Sequence, residues 1–191
     1  VNYLTNAGGL IINFIFGAAV ALFVLRLLAE AWRADFQNPI CQFIYRYTNP
    51  VLRPLRKVLP NWRRLSTSAL VVAWLIECLK VVLLIAIMGF IPNPVGVLVM
   101  GVAELLDFVL LLYIVLIVVW SLMSMLSTDR YHPVARLVTS ITEPLLRPLR
   151  GRMVLGGLDF SPAVVLLLLT LVRLLVAQPL SDIGQRLMLG L

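Results

Sequence analysis

Four long apolar blocks, at about residues 10–28, 69–91, 98–126 and 161–180, alternate with polar connectors along the chain. The first three easily reach the ~20 residues a helix needs to cross a hydrocarbon core of about 30 Å. The fourth is interrupted by Arg173 and ended by Gln178-Pro179, but its counterpart in the first half of the chain is a convincing span, so it too is read as one. Between the first and second spans, and again between the third and fourth, the pattern shortens and becomes amphipathic. Ile40, Phe43, Ile44 and Tyr47 form an i, i+3, i+4, i+7 stripe, matched by Val134, Leu137, Val138 and Ile141. Asn38-Pro39 and His132-Pro133 mark the starts of these short helices. Asn49-Pro50 and Glu143-Pro144 are expected to stop them, because a residue before proline is pushed out of the α region. Such a helix beside a span is expected to lie in the membrane interface with its apolar face on the acyl chains; docking against the spans is the alternative. Ser66-Thr67-Ser68 and Asp159-Phe160-Ser161-Pro162 supply starts for the second and fourth spans.

The two halves also share residues. Asn49-Pro50-Val51-Leu52-Arg53-Pro54-Leu55-Arg56 recurs as Glu143-Pro144-Leu145-Leu146-Arg147-Pro148-Leu149-Arg150, with six of eight positions identical at an offset of 94. The same offset aligns Pro39 with Pro133, Thr48 with Thr142 and Ala69 with Ala163. A period of half the chain indicates two copies of one membrane unit rather than a solenoid. The fold class is therefore all-α integral membrane. Two tandem repeats, residues 1–97 and 98–191, each contribute a span, an interfacial amphipathic helix and a second span.

Composition agrees with bilayer burial: 61% of residues are hydrophobic, 13% are charged and the mean hydropathy is +1.00. A soluble domain is about half apolar and roughly a quarter charged. The net charge of +7 is concentrated in two connectors. One holds Arg33, Arg46, Arg53, Arg56, Lys57, Arg63 and Arg64; the other holds Arg130, Arg136, Arg147, Arg150 and Arg152. The connector at 91–97 and the N-terminal lead carry no charge, so both basic loops are expected in the cytoplasm and both termini outside. The default partner of that charge is an anionic lipid headgroup rather than nucleic acid. The first block is read as a span and not a cleaved signal, because no Lys or Arg precedes it and Arg26 lies inside its end.

Two segments carry candidate chemistry. In the Pro/Arg motif, Pro50, Arg53, Pro54 and Arg56, with Pro144, Arg147, Pro148 and Arg150, make a stiff basic platform. Guanidinium forks bind phosphate or carboxylate bidentately, so this is a candidate lipid or partner-protein site; the alternative is a topological anchor. Inside the spans lie Glu77, Lys80, Glu104, Asp107 and Arg173. Glu77 and Lys80 share a helical face, and Arg173 falls at a depth where a bridge to Glu104 or Asp107 is reasonable. These five are either interhelical glue or part of an ion or proton path. Arg26, near a span end, is expected to snorkel without a partner. Cys41 and Cys78 are expected as apolar fillers. With one His and no Cys-x-x-Cys, G-x-S-x-G or phosphate-cradling Gly loop, no enzyme, metal or cofactor is expected.

Asp35-Phe36-x-Asn38-Pro39, the two Pro/Arg motifs and Gly157-Leu158-Asp159-Phe160-Ser161-Pro162 together resemble the YggT family of small bacterial inner-membrane proteins, over nearly the whole chain. The chain departs from the family pattern at Arg63-Arg64-Leu65, where the first repeat lacks the Gly-x-Asp of the second. The resemblance implies no known enzyme. It links relatives with osmotic tolerance and cation uptake, with cell division or nucleoid organisation and, in plastids, with cytochrome assembly. The expectation is an assembly or organising factor with possible membrane-protein partners or a homo-oligomer; the alternative is an oligomeric channel or transport accessory.

Overall fold

The computed structural model describes residues 3–59, 65–126, 132–150, 154–155 and 158–190. Arg63, Arg64, Arg130, Arg152 and Gly157 lie outside them. In chain order the elements are α1 (Tyr3–Ala31), α2 (Pro39–Leu55), α3 (Thr67–Ile87), α4 (Pro94–Met125), α5 (Pro133–Leu146), β1 (Val154–Leu155), β2 (Leu158–Asp159) and α6 (Ser161–Val172). A π-helical turn, Arg173–Ala177, then leads into α7 (Gln178–Leu189). Strands β1 and β2 form one small antiparallel ladder. Four rods are long and apolar enough to cross a membrane: α1, α3, α4 and the continuous rod of α6, the π turn and α7.

Three helices start by the same device. Asn38, Asn93 and His132 each accept a hydrogen bond from the backbone N–H two residues on, and a proline follows each of them. The side chain satisfies an orphan donor while proline presets φ.

Helix ends were less predictable. α2 runs through Pro50 and Pro54 to Leu55, and α5 runs through Pro144 to Leu146, so neither Pro50 nor Pro144 stops its helix. The carbonyls of Arg46 and Pro50 lose their i+4 donors, but both residues stand on the exposed flank, where water or headgroups replace the donor. The fourth span likewise continues past Arg173 and Pro179 to Leu189. The Gln178 N–H reaches back to the Arg173 carbonyl, a five-residue turn. That widening relieves the clash a proline ring makes with the carbonyl four residues before it. The second span ends early, at Ile87, and the chain turns at Gly89 with φ +83°.

Packing follows the repeat. α1 pairs with α3, α4 pairs with α6 and α7, and α3 lies against α4 to join the halves. Backbones meet closely where α4 crosses α7. A Cβ on Gly96 would lie 2.2 Å from the Met188 nitrogen, and one on Gly184 would lie 2.9 Å from the Met100 Cα. Gly101 gives the same closeness to α3, against the Cys78 sulfur.

The short helices are docked on the spans, not laid free in the interface. α2 buries Cys41, Ile44, Thr48 and Leu52, and α5 buries Leu137, Val138, Ile141, Thr142 and Leu146. Most of these side chains join one core with Val20, Val24, Leu27 and Ile117. Ile44/Val138, Thr48/Thr142 and Leu52/Leu146 are equivalent at the 94-residue offset, so both repeats dock through the same positions. The buried threonines bond their hydroxyls to the carbonyls of Ile44 and Val138, at 2.7 and 2.9 Å. Phe43 and Tyr47 remain exposed, because the expected stripe is wider than the surface that receives it.

Candidate functional site

α2 and α5 meet at one end of the bundle, where the two repeats are laced together. The Asn38 side-chain amide donates to the Pro133 carbonyl at 2.7 Å, Arg136 pairs with Asp35, and the Trp32 indole N–H donates to the Tyr113 hydroxyl at 2.9 Å. One asparagine therefore caps α2 and ties it to the first residue of α5.

The Pro/Arg motifs sit on this base, and their four arginines divide into two kinds. Arg56 Nη2 lies 2.6 Å from Glu30 Oε1, and Arg150 Nη1 lies 3.0 Å from Glu143 Oε2 with its guanidinium over the Trp120 ring. These two face back into their own repeats. Arg53 and Arg147 are exposed and, among the described residues, have no carboxylate partner. Pro50, Pro54 and Pro148 are exposed as well, and Pro144 is half-buried.

Beneath Arg56 is a cluster the sequence did not announce. Arg26 does not snorkel: it is 1% exposed, pairs with Glu30 at 2.6 Å and lies over the Tyr45 ring, 3.2 Å from its centroid. Two guanidiniums thus share one carboxylate, and the aromatic face takes up part of the remaining charge. Burial pushes the Tyr45 hydroxyl up to about 12, against a smaller opposing pull from Arg26. The signal available in sequence was the i, i+4 spacing of Arg26 and Glu30. At the repeat offset Arg26 corresponds to Trp120 and Glu30 to Ser124. Arg56 therefore meets a carboxylate of its own first span, whereas Arg150 finds an indole on its first span and takes its carboxylate, Glu143, from α5.

Nearby, burial raises the Cys41 thiol above its ordinary range, as expected of an apolar filler. At the start of α6, the hydroxyl and amide of Ser161 hold the Asp159 carboxyl below its usual range, and that hydroxyl also reaches the Leu149 carbonyl at 2.9 Å.

The intramembrane charges form two groups. Lys80 Nζ lies 2.5 Å from Glu77 Oε2 and 3.2 Å from Glu104 Oε2, so one ammonium serves two carboxylates across α3 and α4. Glu77 is fully buried, and neither of its oxygens has a well-aligned hydrogen bond among the described residues. Arg173 meets Asp107 bidentately, Nε to Oδ1 and Nη2 to Oδ2, both at 2.8 Å. Of the two acceptors open to Arg173, Asp107 is the one used, and Glu104 goes to Lys80. The Arg173 guanidinium projects from the π turn, so the irregularity that accommodates Pro179 also carries the charged residue.

Four apolar rods, two laced short helices and charges paired between rods define a multi-pass membrane protein of two tandem helical repeats. A family model described as CCB3/YggT matches residues 5–87 and again 99–180, and the chain belongs to that family. It is 31% identical over 185 residues to the uncharacterized protein YggT of Escherichia coli strain K12, covering 94% of this chain and 96% of the relative. An uncharacterized protein of Pseudomonas aeruginosa is 34% identical over 161 residues, covering 83% and 82%. One from Vibrio alginolyticus is 30% identical over 163 residues, covering 84% and 88%. No solved structure matches the chain.

Proposed function

We propose that this chain is a non-enzymatic organising or assembly factor of the bacterial inner membrane, whose Pro/Arg end contacts anionic lipid headgroups or partner proteins. The observation that carries the reading is the exposure of Arg53 and Arg147. They occupy equivalent places in the repeats, stand at the ends of docked helices and have no carboxylate partner among the described residues. Arg56 and Arg150 support them as fixed neighbours. Arg46 shares the polar flank of α2 with Arg53, and Phe43 and Tyr47 occupy the flank beside it. That order suits the headgroup level, where aromatic rings sit at the boundary and guanidiniums reach phosphate oxygens. The concentration of Lys and Arg at this end supports a cytoplasmic placement with both termini outside. A reporter enzyme active only in the cytoplasm, fused at residue 191, is expected to be silent; activity would reject the topology.

The site itself is tested by Arg53→Lys/Arg147→Lys, which keeps charge and so keeps topology but removes the bidentate fork. Insertion is expected to be unchanged. Co-purification of phosphatidylglycerol, or of a partner protein, is expected to fall several-fold. Retention equal to the parent's would reduce both arginines to anchors.

A second reading is supported by Glu77, a fully buried carboxylate that shares Lys80 with Glu104. Intramembrane ionisable groups are by default functional candidates, and on this reading the chain is an oligomeric channel or transport accessory in osmotic or cation homeostasis. Purified protein in liposomes would then carry a cation or proton flux that Glu77→Gln abolishes; no flux leaves the organising role.

A further inference from the structure

The N-terminal half of α1 carries polar groups that the chain itself does not satisfy. Asn6, Leu10, Asn13 and Gly17 follow one another at spacings of four, three and four residues, which places them in one narrow stripe of the helix. Asn6, Leu10 and Asn13 are exposed, and a Cβ added at Gly17 would meet nothing within 4 Å, so the stripe faces out of the bundle. Among the described residues neither carboxamide has a hydrogen-bond partner. Asn13 lies three residues inside the first apolar block, residues 10–28, and so within the hydrocarbon part of that span. Hydrocarbon offers that amide neither donor nor acceptor, and an unsatisfied polar group there is costly.

The other repeat shows how the same position is satisfied from within. At the 94-residue offset Asn13 corresponds to Asp107, whose carboxylate is taken by Arg173; the residue equivalent to Arg173 is Leu79, which has nothing to offer. The first repeat therefore presents at its surface what the second repeat closes internally.

We propose that this stripe is a homodimer interface, in which α1 packs in parallel against α1 of a second copy around a two-fold axis along the membrane normal. Such an axis brings Asn6 to Asn6 and Asn13 to Asn13 at matching depths. A carboxamide carries both donors and acceptors, so it is complementary to itself. The spacing is that of a left-handed helix pair, and Gly17 lets the two backbones approach. Asn6, Leu10 and Asn13 of the stripe themselves line a groove of about 430 Å³ between α1 and α3, whose other walls include Gly9, Leu84 and Ile87, and it gives a partner side chain a seat. Phe14, 79% exposed and one residue beyond Asn13, is a side chain of the size to use it.

The test uses the full chain in native membranes with Cys41→Ala and Cys78→Ala, adding one cysteine at a time. Leu10→Cys and Gly17→Cys are expected to give a disulfide-linked dimer on oxidation, and Ile15→Cys, exposed on the far side of the helix, is not. In liposomes, energy transfer between labelled copies reports dissociation on dilution into lipid. Asn13→Leu is expected to shift that dissociation about tenfold toward higher protein-to-lipid ratio, while Asn13→Gln keeps the parental value. Equal cross-linking at Ile15→Cys, adducts only to a different protein, no adduct at all, or an Asn13→Leu variant that associates like the parent would each overturn the proposal.

Discussion

Glu30→Gln isolates the buried charge cluster better than any other single change. The Glu30 carboxylate holds Arg26 and Arg56, each at 2.6 Å, and Arg26 is 1% exposed. Removing one partner of a buried pair leaves an uncompensated charge and costs about 3–5 kcal/mol. Two features reduce that figure here. The Tyr45 ring continues to face the Arg26 guanidinium, and Arg56 is a third exposed, so its loss is screened. The glutamine carbonyl also still accepts a hydrogen bond. A loss of about 2–3 kcal/mol is expected, read from reversible denaturant titration of helicity and tryptophan fluorescence in mixed micelles. The double change Arg26→Met/Glu30→Gln removes the charge together with its partner and should recover most of the loss, a coupling of more than about 1 kcal/mol in the cycle. If Glu30→Gln costs under about 1 kcal/mol, or if the double variant is as weak as the sum of the singles, the cluster is not an interdependent unit and the reasoning fails.

Tyr45 supplies a face to Arg26 rather than a hydroxyl, so Tyr45→Phe should be near neutral while Tyr45→Leu costs about 1–2 kcal/mol in the same titration. Its folded pKa of about 12 is raised, so the stabilising contribution is complete below the unfolded value near 10 and disappears as pH rises through 12; the difference in tyrosinate absorbance between the parent and Tyr45→Phe measures that shift. Asp107→Asn should weaken packing of the fourth rod on α4, and the exchange Asp107→Arg/Arg173→Asp should restore more stability than either half alone, by about 1 kcal/mol in the same denaturant titration. Gly96→Ala forces the α4 and α7 backbones apart and should cost about 1–3 kcal/mol, whereas Gly17→Ala, with open space before it, should be neutral or stabilising in single copies held apart in micelles.

The candidate site was legible in part. Pairing of Lys80 with Glu77 followed from helical spacing, and the Arg173 bridge from depth counted along two rods, because both depend on the rise per residue alone. The Arg26 cluster was not legible. Its partners Glu30, Tyr45 and Arg56 come from two helices, and only the docking of α2 on α1 brings them together. The same docking separated the arginines of one motif, turning Arg56 inward and leaving Arg53 outside, although both had looked equally available.

Span number, the tandem repeat and the helix starts at Asn38 and His132 were determined by sequence alone, because hydropathy, self-similarity and local capping need no distant partner. Helix ends were decided by the fold. Pro50, Pro144 and Pro179 are each incompatible with a fully bonded helix, yet the helix runs through all three: Pro50 frees a carbonyl on an exposed flank, Pro144 one on a partly exposed flank, and Pro179 follows a π turn. Whether the apolar face of α2 met lipid or protein was likewise undecidable from its stripe, since both surfaces are apolar. The close fit of Ile44, Thr48 and Leu52 into the shared core selected protein, while Phe43 and Tyr47 were left outside because the receiving surface was narrower than the stripe.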